Sequence, residues 1–382
     1  MTAVMETIYA DAFKRFLSAV DEPAELRRIR EEAFDHFTEV GFPPVKSEDW
    51  KYTNVASIAS REWTISSEQH RMPADVDIDL LSRFNFGRNG FAAMNLAFGE
   101  LATLRIAKDT SVDEPIEFNF SAEEGTAEFP HLLVIIEAGA KATIVESYAG
   151  NGFTNAAIQI VVEDNANLTH YRVQKESVDA FHYGVTEVTL GRGSVYNSTN
   201  INLGAALSRH DIEVKFTAEG AEAWVDGLYM MGGSQHTDTH SIIDHTVPHC
   251  TSHQSYKGVL NDKSRAVFNG KVFVRENANG TDAQQSNKNL LLSNEARVDT
   301  KPQLEIFNDD VKCSHGATVG QLEEEELFYL LTRGLPETLA RNLLTYGFAE
   351  EIINKIGIEA IKRDLDEVVL NRLDVAISVV TP

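Results

Sequence analysis

The pattern of hydrophobic and polar positions divides the chain into three regions. In residues 1–85 apolar side chains such as Phe13, Phe16 and Leu17 recur every three or four positions, which is typical of helices that bury one face. Between residues 86 and 317 short apolar runs alternate with turns rich in Gly, Asn and Asp. After residue 317 the helical spacing returns. We therefore expect an N-terminal helical region (1–85), a β core (86–317) and a C-terminal helical domain (318–382).

The β core is predicted from apolar runs that are too short for helices. Leu132 to Ile136 and Ala142 to Val145 form one such pair of runs, with Gly139 in the turn between them. Similar runs follow at 157–162, 167–174, 183–190, 194–203, 211–216, 223–229, 271–274 and 303–307. The pattern is compatible both with a stack of parallel strands and with a sandwich of strands, so the residues alone predict only a mainly β core.

Charge and cysteine content exclude several classes of protein. Asp and Glu number 58 against 34 Lys and Arg, a formal charge of −24, so the average field repels nucleic acid. Only Cys250 and Cys313 are present, too few for a disulfide framework. The first twenty residues lack the pattern of a secretory signal, and no apolar run has the length of a membrane span. We expect a cytoplasmic protein that binds neither nucleic acid nor membrane.

A cysteine and a histidine close together near the end of the β core are the first candidates for chemistry. If Val311 to His315 is a strand, then Cys313 and His315 project from the same face, about 6.5–7 Å apart. A thiolate and a neutral imidazole are ligands for iron and zinc. The alternative is that both side chains only pack, since cysteine is among the most buried residue types.

A group of five histidines suggests a second kind of site. His236 and His240 would share a strand face with Asp238, which resembles a metal-binding triad, and His245, His249 and His253 follow. Pro248 and the turns around it make convergence of all five improbable. The structural alternative is that they are polar positions of the β core. A metal-dependent β-helical or β-sandwich enzyme using the His236–His253 cluster is the alternative function.

Motifs for nucleotide chemistry are missing from the sequence. The segment from Gly258 to Ser264 ends in Lys-Ser but lacks the second glycine of a phosphate-binding loop. The chain also has no Gly-x-Ser-x-Gly element and no dinucleotide fingerprint. We therefore expect a protein that is not an enzyme and does not hydrolyse ATP by itself.

Four longer motifs carry a resemblance to a known family. They are Asp-Trp-Lys-Tyr-Thr-Asn at 49–54, Ser-Arg-Ala-Val-Phe-Asn-Gly at 264–270, Gln-Ser-Asn-Lys-Asn-Leu-Leu-Leu-Ser at 285–293, and Asp-Asp-Val-Lys-Cys-Ser-His-Gly-Ala-Thr at 309–318. The chain resembles the SufB/SufD family, whose members are subunits of the SUF iron–sulfur cluster assembly machinery. The Cys-Ser-His-Gly-Ala-Thr element and the Asp-Trp-Lys-Tyr-Thr-Asn element favour the SufD branch over the SufB branch.

The resemblance implies a fold, a function and a set of partners. The fold is a right-handed parallel β-helix flanked by the two helical regions. The function is that of a scaffold subunit for iron–sulfur cluster assembly that pairs with SufB and binds the ATPase SufC. The cluster would be transient and shared with SufB, and the chain alone would form a homodimer. Flavin binding is left open.

The resemblance also assigns the site residues. In this family the histidine of Cys-Ser-His-Gly takes part in cluster formation together with a cysteine of SufB, and His315 matches that histidine. Cys313 is the second candidate ligand and Cys250 the third. The C-terminal helices carry more apolar surface than they can bury among themselves, which suits docking of the ATPase. The docking residues expected there are Leu327, Phe328, Leu331, Leu335 and Pro336.

Overall fold

The computed structural model describes residues 2–65 and 76–373, with side chains from Tyr9 onward. Residues 66–75 of the predicted N-terminal region and residues 374–382 of the predicted C-terminal domain therefore lie outside the described residues. The described α-helices are α1 (Thr2–Ala19), α2 (Ala24–Val40), α3 (Ala56–Ala59), α4 (Ile78–Leu81), α5 (Gly90–Phe98), α6 (Glu324–Thr332), α7 (Glu337–Ile353) and α8 (Glu359–Arg372).

The strands fill the middle of the chain. They are β1 (Thr64–Ile65), β2 (Glu100–Ile106), β3 (Ile116–Ala122), β4 (Thr126–Glu128), β5 (Pro130–Ile136), β6 (Lys141–Gly150), β7 (Phe153–Val162), β8 (Asn167–Gln174), β9 (Phe181–Leu190), β10 (Val195–Asn202), β11 (Leu207–Phe216), β12 (Glu222–Met231), β13 (His236–His245), β14 (Thr251–Leu260), β15 (Arg265–Val274), β16 (Thr281–Leu291), β17 (Arg297–Ile306) and β18 (Val311–Gly320).

Successive strands alternate between two parallel sheets. Sheet I ends in the order β7-β9-β11-β13-β15-β17, and sheet II has the order β3-β6-β8-β10-β12-β14-β16-β18. Each strand inside the stack thus pairs with the strand one turn earlier and the strand one turn later, which is the topology of a β-solenoid of about eight turns. The predicted mainly β fold with a parallel β-helix core is confirmed. The sandwich alternative is wrong, because neighbouring strands are one turn apart and parallel.

The corners of the solenoid explain the turn residues in the sequence. Asp109 (φ 55°), Gly139 (φ 71°) and Asn165 (φ 55°) occupy left-handed backbone conformations, which Gly, Asn and Asp tolerate best. The corners also bond to one another, since the Asp109 amide donates to the Ala138 carbonyl and the Gly139 amide donates to the Asp164 carbonyl. Turn chemistry therefore repeats along one corner of the stack.

Three long strands, β13, β14 and β16, were missed by the sequence pattern because their buried positions are partly polar. In β16 burial alternates with period two, yet the buried positions include Gln285, Asn287 and Asn289. Alternation of apolar and polar side chains is the usual signal of a strand, and polar residues inside the solenoid remove it.

The N-terminal helices pack on sheet I. Every residue of α5 is buried, so this helix has no polar face. Without the alternation of an amphipathic helix it was not predicted, and its residues fall within the segment predicted to be β. The guanidinium of Arg30 on α2 donates to the carbonyls of Leu96, Ala97 and Gly99 at the C-terminal end of α5. The first strand of the stack begins at Glu100, and the last one ends at Gly320.

The C-terminal helices α7 and α8 cover the outer face of sheet II. Buried apolar residues of these helices form one cluster with buried residues of the sheet. The cluster includes Val173, Ile201, Leu228, Val259, Ala349, Ile352, Ile353, Leu365 and Val369. Among the described helices, none is long and apolar enough to cross a membrane.

Candidate functional site

The last strand, β18, forms an uncovered end of the solenoid. It is the terminal strand of sheet II and pairs along one edge with β16, with Cys313 opposite Ala283 and His315 opposite Gln285. The condition under which Cys313 and His315 share a face is met, since Val311–His315 is part of a strand that continues to Gly320. Every residue from Ser314 to Gly320 is exposed, because none of the described residues forms a further turn on this strand.

Cys313 and His315 differ in their surroundings although they share a strand face. Cys313 is half-buried and packs against the inner core, and burial raises the pKa of its thiol. His315 is exposed at the end of the stack. The equivalent positions of earlier turns are all buried, and they are Gln285, Gln254, Val225, Ser198 and His170. His315 is therefore the exposed last member of an inward-facing row.

Polar groups line the interior behind His315. In the row beside it, the Asn287 amide donates to the Tyr229 hydroxyl at 3.1 Å, and the Asn289 amide donates to Asn287 Oδ1 at 2.6 Å. Farther back, His170 bonds to Glu146 within the same interior. The sequence analysis did not identify this polar interior. The signal that could have found it is the alternation of Gln285, Asn287 and Asn289, all at inward positions of one strand.

Cys250 lies apart from the other two candidate ligands. It is fully buried just before β14, with its Sγ 3.5 Å from the carbonyl oxygens of Ala218 and Pro248. Burial raises the pKa of this thiol as well. Strand β16 separates β14 from β18, so the structure does not bring Cys250 next to Cys313 or His315.

The five histidines from 236 to 253 do not converge. His245 is buried and stacks on Phe216, whereas His253 belongs to the other sheet and stacks on Trp224. Across the described residues, no three His, Cys, Asp or Glu side chains are grouped so that they could hold a metal ion. The alternative of an enzyme using a metal bound by these histidines therefore lacks a donor set in this part of the chain.

His236, Asp238 and His240 form part of a structural contact with the N-terminal region. Thr53 Oγ1 lies 2.9 Å from His236 Nε2 and donates to Asp238 Oδ2 at 2.5 Å. Burial opposes ionisation of Asp238, but Arg209 at 3.0 Å and His240 outweigh it and hold the pKa of this carboxyl below its usual range. These residues fix the Asp49–Asn54 motif against sheet I.

The helix α6 presents an apolar surface to solvent. None of its residues is buried, and Phe328, Tyr329 and Leu331 have exposed fractions of 67%, 56% and 36%. The neighbouring helix α7 adds Leu339 and Leu343, both 37% exposed. Among the predicted docking residues, Phe328, Leu331 and Pro336 are exposed, whereas Leu327 and Leu335 are half-buried. We call this surface the α6 face.

Comparisons with known proteins match most of the chain. The profile of the SUF system FeS cluster assembly SufBD core domain matches residues 118–348, and that of the SufBD protein N-terminal region matches residues 3–79. The chain is 36% identical over 331 residues to an iron–sulfur cluster assembly SufBD family protein of Synechocystis, covering 82% of this chain and 72% of that protein. It is 32% identical over 288 residues to a SufBD family protein of Mycobacterium bovis, covering 73% and 72% of the two chains.

The SufD protein of Escherichia coli is also similar. It is 37% identical over 247 residues, which cover 64% of this chain and 58% of that protein. The matched core region, residues 118–348, includes β18, α6 and the Cys-Ser-His-Gly element.

Proposed function

Since the chain belongs to the SufBD family of iron–sulfur cluster assembly proteins, we propose that it is a non-catalytic scaffold subunit of the assembly machinery. The family membership predicted from the motifs is confirmed. The proposed partners are a SufB-like subunit with the same solenoid fold and a SufC-like ATPase. The observation that carries the proposal is the uncovered end of the solenoid, which exposes one of the family's motif residues, His315.

The pairing surface of the proposal is the last turn of the solenoid. Ile306 and Phe307, at the end of β17, are 41% and 56% exposed, and Val319 of β18 is 48% exposed. A long edge strand with unpaired backbone groups and exposed apolar side chains favours pairing with another strand. A SufB-like subunit would cover this end with its own last turn, and a second copy would do so when the chain is alone.

A charge placed on the pairing surface tests this part. Val319→Lys should weaken association with the SufB-like subunit at least about tenfold, since it removes apolar burial and forces an ammonium group into the contact. The matched control is Val178→Lys, at an exposed valine (60%) far back in the stack, between β8 and β9. The measurement is light scattering after size-exclusion chromatography at several concentrations. Equal dissociation constants for the two variants would place the contact elsewhere.

His315 is the proposed ligand of the nascent cluster, shared with the SufB-like subunit. An exposed imidazole at the pairing end can reach a cluster held between two subunits, and ligation uses its neutral form. Cys313 is the second candidate. It packs against the core, so it must move or lose packing to bind iron. Cys250 is the least accessible of the three.

Iron and acid-labile sulfide content of the purified complex tests the ligand role. After anaerobic co-expression with both partners, His315→Ala should lose most of the cluster, and Cys313→Ser should lose less. The matched control is His253→Ala, which removes a partly exposed histidine from the outer face of sheet II and should retain wild-type content. Wild-type cluster content in an intact His315→Ala complex would exclude the role.

The α6 face is the proposed docking surface for the ATPase. Three acidic residues, Glu324, Glu325 and Glu326, form the first turn of α6, and Phe328 and Leu331 follow on the exposed surface. An amphipathic helix with apolar side chains that the described residues leave exposed suits a groove in another protein. Its negative N-terminal turn would favour a groove with a basic rim.

A point substitution is a sharper test of docking than a deletion. Removing residues from 321 onward would also expose the face of sheet II that α7 and α8 bury, so loss of binding would have two explanations. Phe328→Glu changes only an exposed side chain and should cost about 2–4 kcal/mol of binding free energy if it is a central contact. Tyr52→Glu, at an aromatic residue 46% exposed in the N-terminal region, is the matched control. Calorimetric titration with the ATPase measures both, and an unchanged affinity for Phe328→Glu would contradict the assignment.

The proposal also predicts that the isolated chain does not bind ATP and that it works in a reducing compartment. The isolated chain should show no binding in a calorimetric titration with ATP and magnesium, and micromolar affinity would contradict a purely scaffolding role. Its two cysteines are free thiols, which fits work in the reducing cytoplasm.

A further inference from the structure

Gln285 lies directly behind His315 in the solenoid. The two residues are paired in register on β16 and β18, and neighbouring parallel strands are about 4.8 Å apart. Side chains at paired positions of a parallel sheet point to the same face. The side chain of Gln285 is therefore the nearest neighbour of His315 on the inward face of sheet II. It is 3% exposed, whereas His315 is exposed.

The amide nitrogen of Gln285 is held from two sides. Its Nε2 donates to Gln254 Oε1 at 2.6 Å, and Gln254 Nε2 donates in turn to Ser241 Oγ at 2.7 Å. On the other side lies Gly270 of the opposite sheet, and a Cβ added there would clash with Gln285 Nε2 at a distance of only 2.3 Å. Ser241 Oγ also donates to Gln254 Oε1 at 3.1 Å, so Gln254 is bound at both ends of its amide and holds the Gln285 amide nitrogen on the side away from β18.

The oxygen of the same amide has no partner. Gln285 Oε1 is buried and accepts no hydrogen bond from any described residue. An unsatisfied buried acceptor costs about 1–3 kcal/mol, so an apolar side chain of similar size would suit the isolated chain better. The strand before the proposed ligand thus carries a buried acceptor that has no donor among the described residues.

We propose that Gln285 is the positioning residue for His315, and this inference rests on the ligand role proposed above. In the assembled complex Gln285 Oε1 would accept the N–H of one imidazole nitrogen of His315, a bond that the isolated chain does not form, and this would set the tautomer and the ring orientation. The other nitrogen then presents its lone pair to iron at the subunit interface. Histidine ligands of metals usually donate their second N–H in this way, and loss of the acceptor typically weakens the site 10- to 100-fold.

Three variants in the assembled complex test the role. Gln285→Met keeps the length of the side chain but removes the acceptor, and it should shorten the half-life of the cluster under a chelator about tenfold or more. Gln254→Met leaves Gln285 in place but releases its amide, and should shorten the half-life at least threefold. Gln284→Met, the adjacent exposed position of the same strand, is the matched control and should have the wild-type half-life.

The imidazole of His315 provides a readout that does not depend on the cluster. In the cluster-free complex with 15N-labelled histidine, the nitrogen shifts of His315 are those missing from His315→Ala. One tautomer should dominate in the wild type, and Gln285→Met should shift the tautomer populations, whereas Gln284→Met should not. A merely structural role of Gln285 would leave these shifts unchanged.

The outcomes separate this inference from the proposal on which it rests. If His315→Ala loses the cluster while Gln285→Met keeps both the wild-type half-life and the wild-type tautomer, the positioning role is wrong and the ligand role stands. If His315→Ala retains the cluster, both are wrong. If Gln285→Met does not fold, Gln254→Met decides: a shortened half-life supports the positioning role, and an unchanged one overturns it.

Discussion

The buried imidazole of His245 allows a quantitative test of the solenoid interior. Its ring stacks on Phe216 with centroids 4.3 Å apart, and its Nε2 lies 2.8 Å from Ser252 Oγ, while Nδ1 has no hydrogen-bond partner among the described residues. Burial lowers the pKa of His245 from 6.5 to about 4, and the nearby carboxylate of Asp244 opposes this only in part. The folded protein therefore holds this histidine neutral.

The sign and size of the effect follow from the two protonation states. The unfolded chain takes up a proton near pH 6.5 and the folded chain only near pH 4, so the stability that His245 contributes is complete above pH 6.5 and is lost as the pH falls toward 4. A folded pKa of about 4 corresponds to about 3.4 kcal/mol in full, of which about 2 kcal/mol is already lost at pH 5.

The perturbation is the double variant His245→Phe with Ser252→Ala. The new phenyl ring still stacks on Phe216, and the hydrogen bond between the imidazole and the Ser252 hydroxyl is removed together with both of its groups. Urea unfolding at pH 8 and pH 5 gives the free energy of unfolding at each pH. Between these values the wild type should lose about 2 kcal/mol more than the double variant. Ser252→Ala alone retains the imidazole and should lose about as much as the wild type. A double variant that loses as much stability as the wild type would refute a neutral, buried His245.

Two further predictions concern burial. In the wild type the buried carboxylate of Glu22 lies 2.9 Å from Arg30 Nε. Arg30→Met removes this ion-pair partner and should lower the free energy of unfolding by about 3–5 kcal/mol. Adding Glu22→Gln should recover part of the loss in urea unfolding, and a loss under about 1 kcal/mol for Arg30→Met would contradict the argument. Iodoacetamide should modify the half-buried Cys313 at least about tenfold faster than the fully buried Cys250, measured by peptide mass spectrometry, and equal rates would contradict their assigned burial.

Properties that depend on neighbours along the chain could be predicted from the sequence alone. The runs around Val134 and Ile144 indicated strands, and the Gly139 turn between them has the positive φ that glycine allows. The apolar spacing after residue 317 indicated the C-terminal helices. In each case the signal is periodicity within about ten residues, which is a local property of the chain.

Only the tertiary structure decided what each side chain contacts. Thr53 bonds to Asp238 across 185 positions of sequence, and no local pattern indicates that contact. His245 and His253 are close in sequence but belong to different sheets. The position of Gln285 behind His315 depends on the pairing of β16 with β18, one whole turn apart. In a solenoid the register between strands is set by how complete turns stack, and side-chain period two within a strand carries no information about which turn lies beside it.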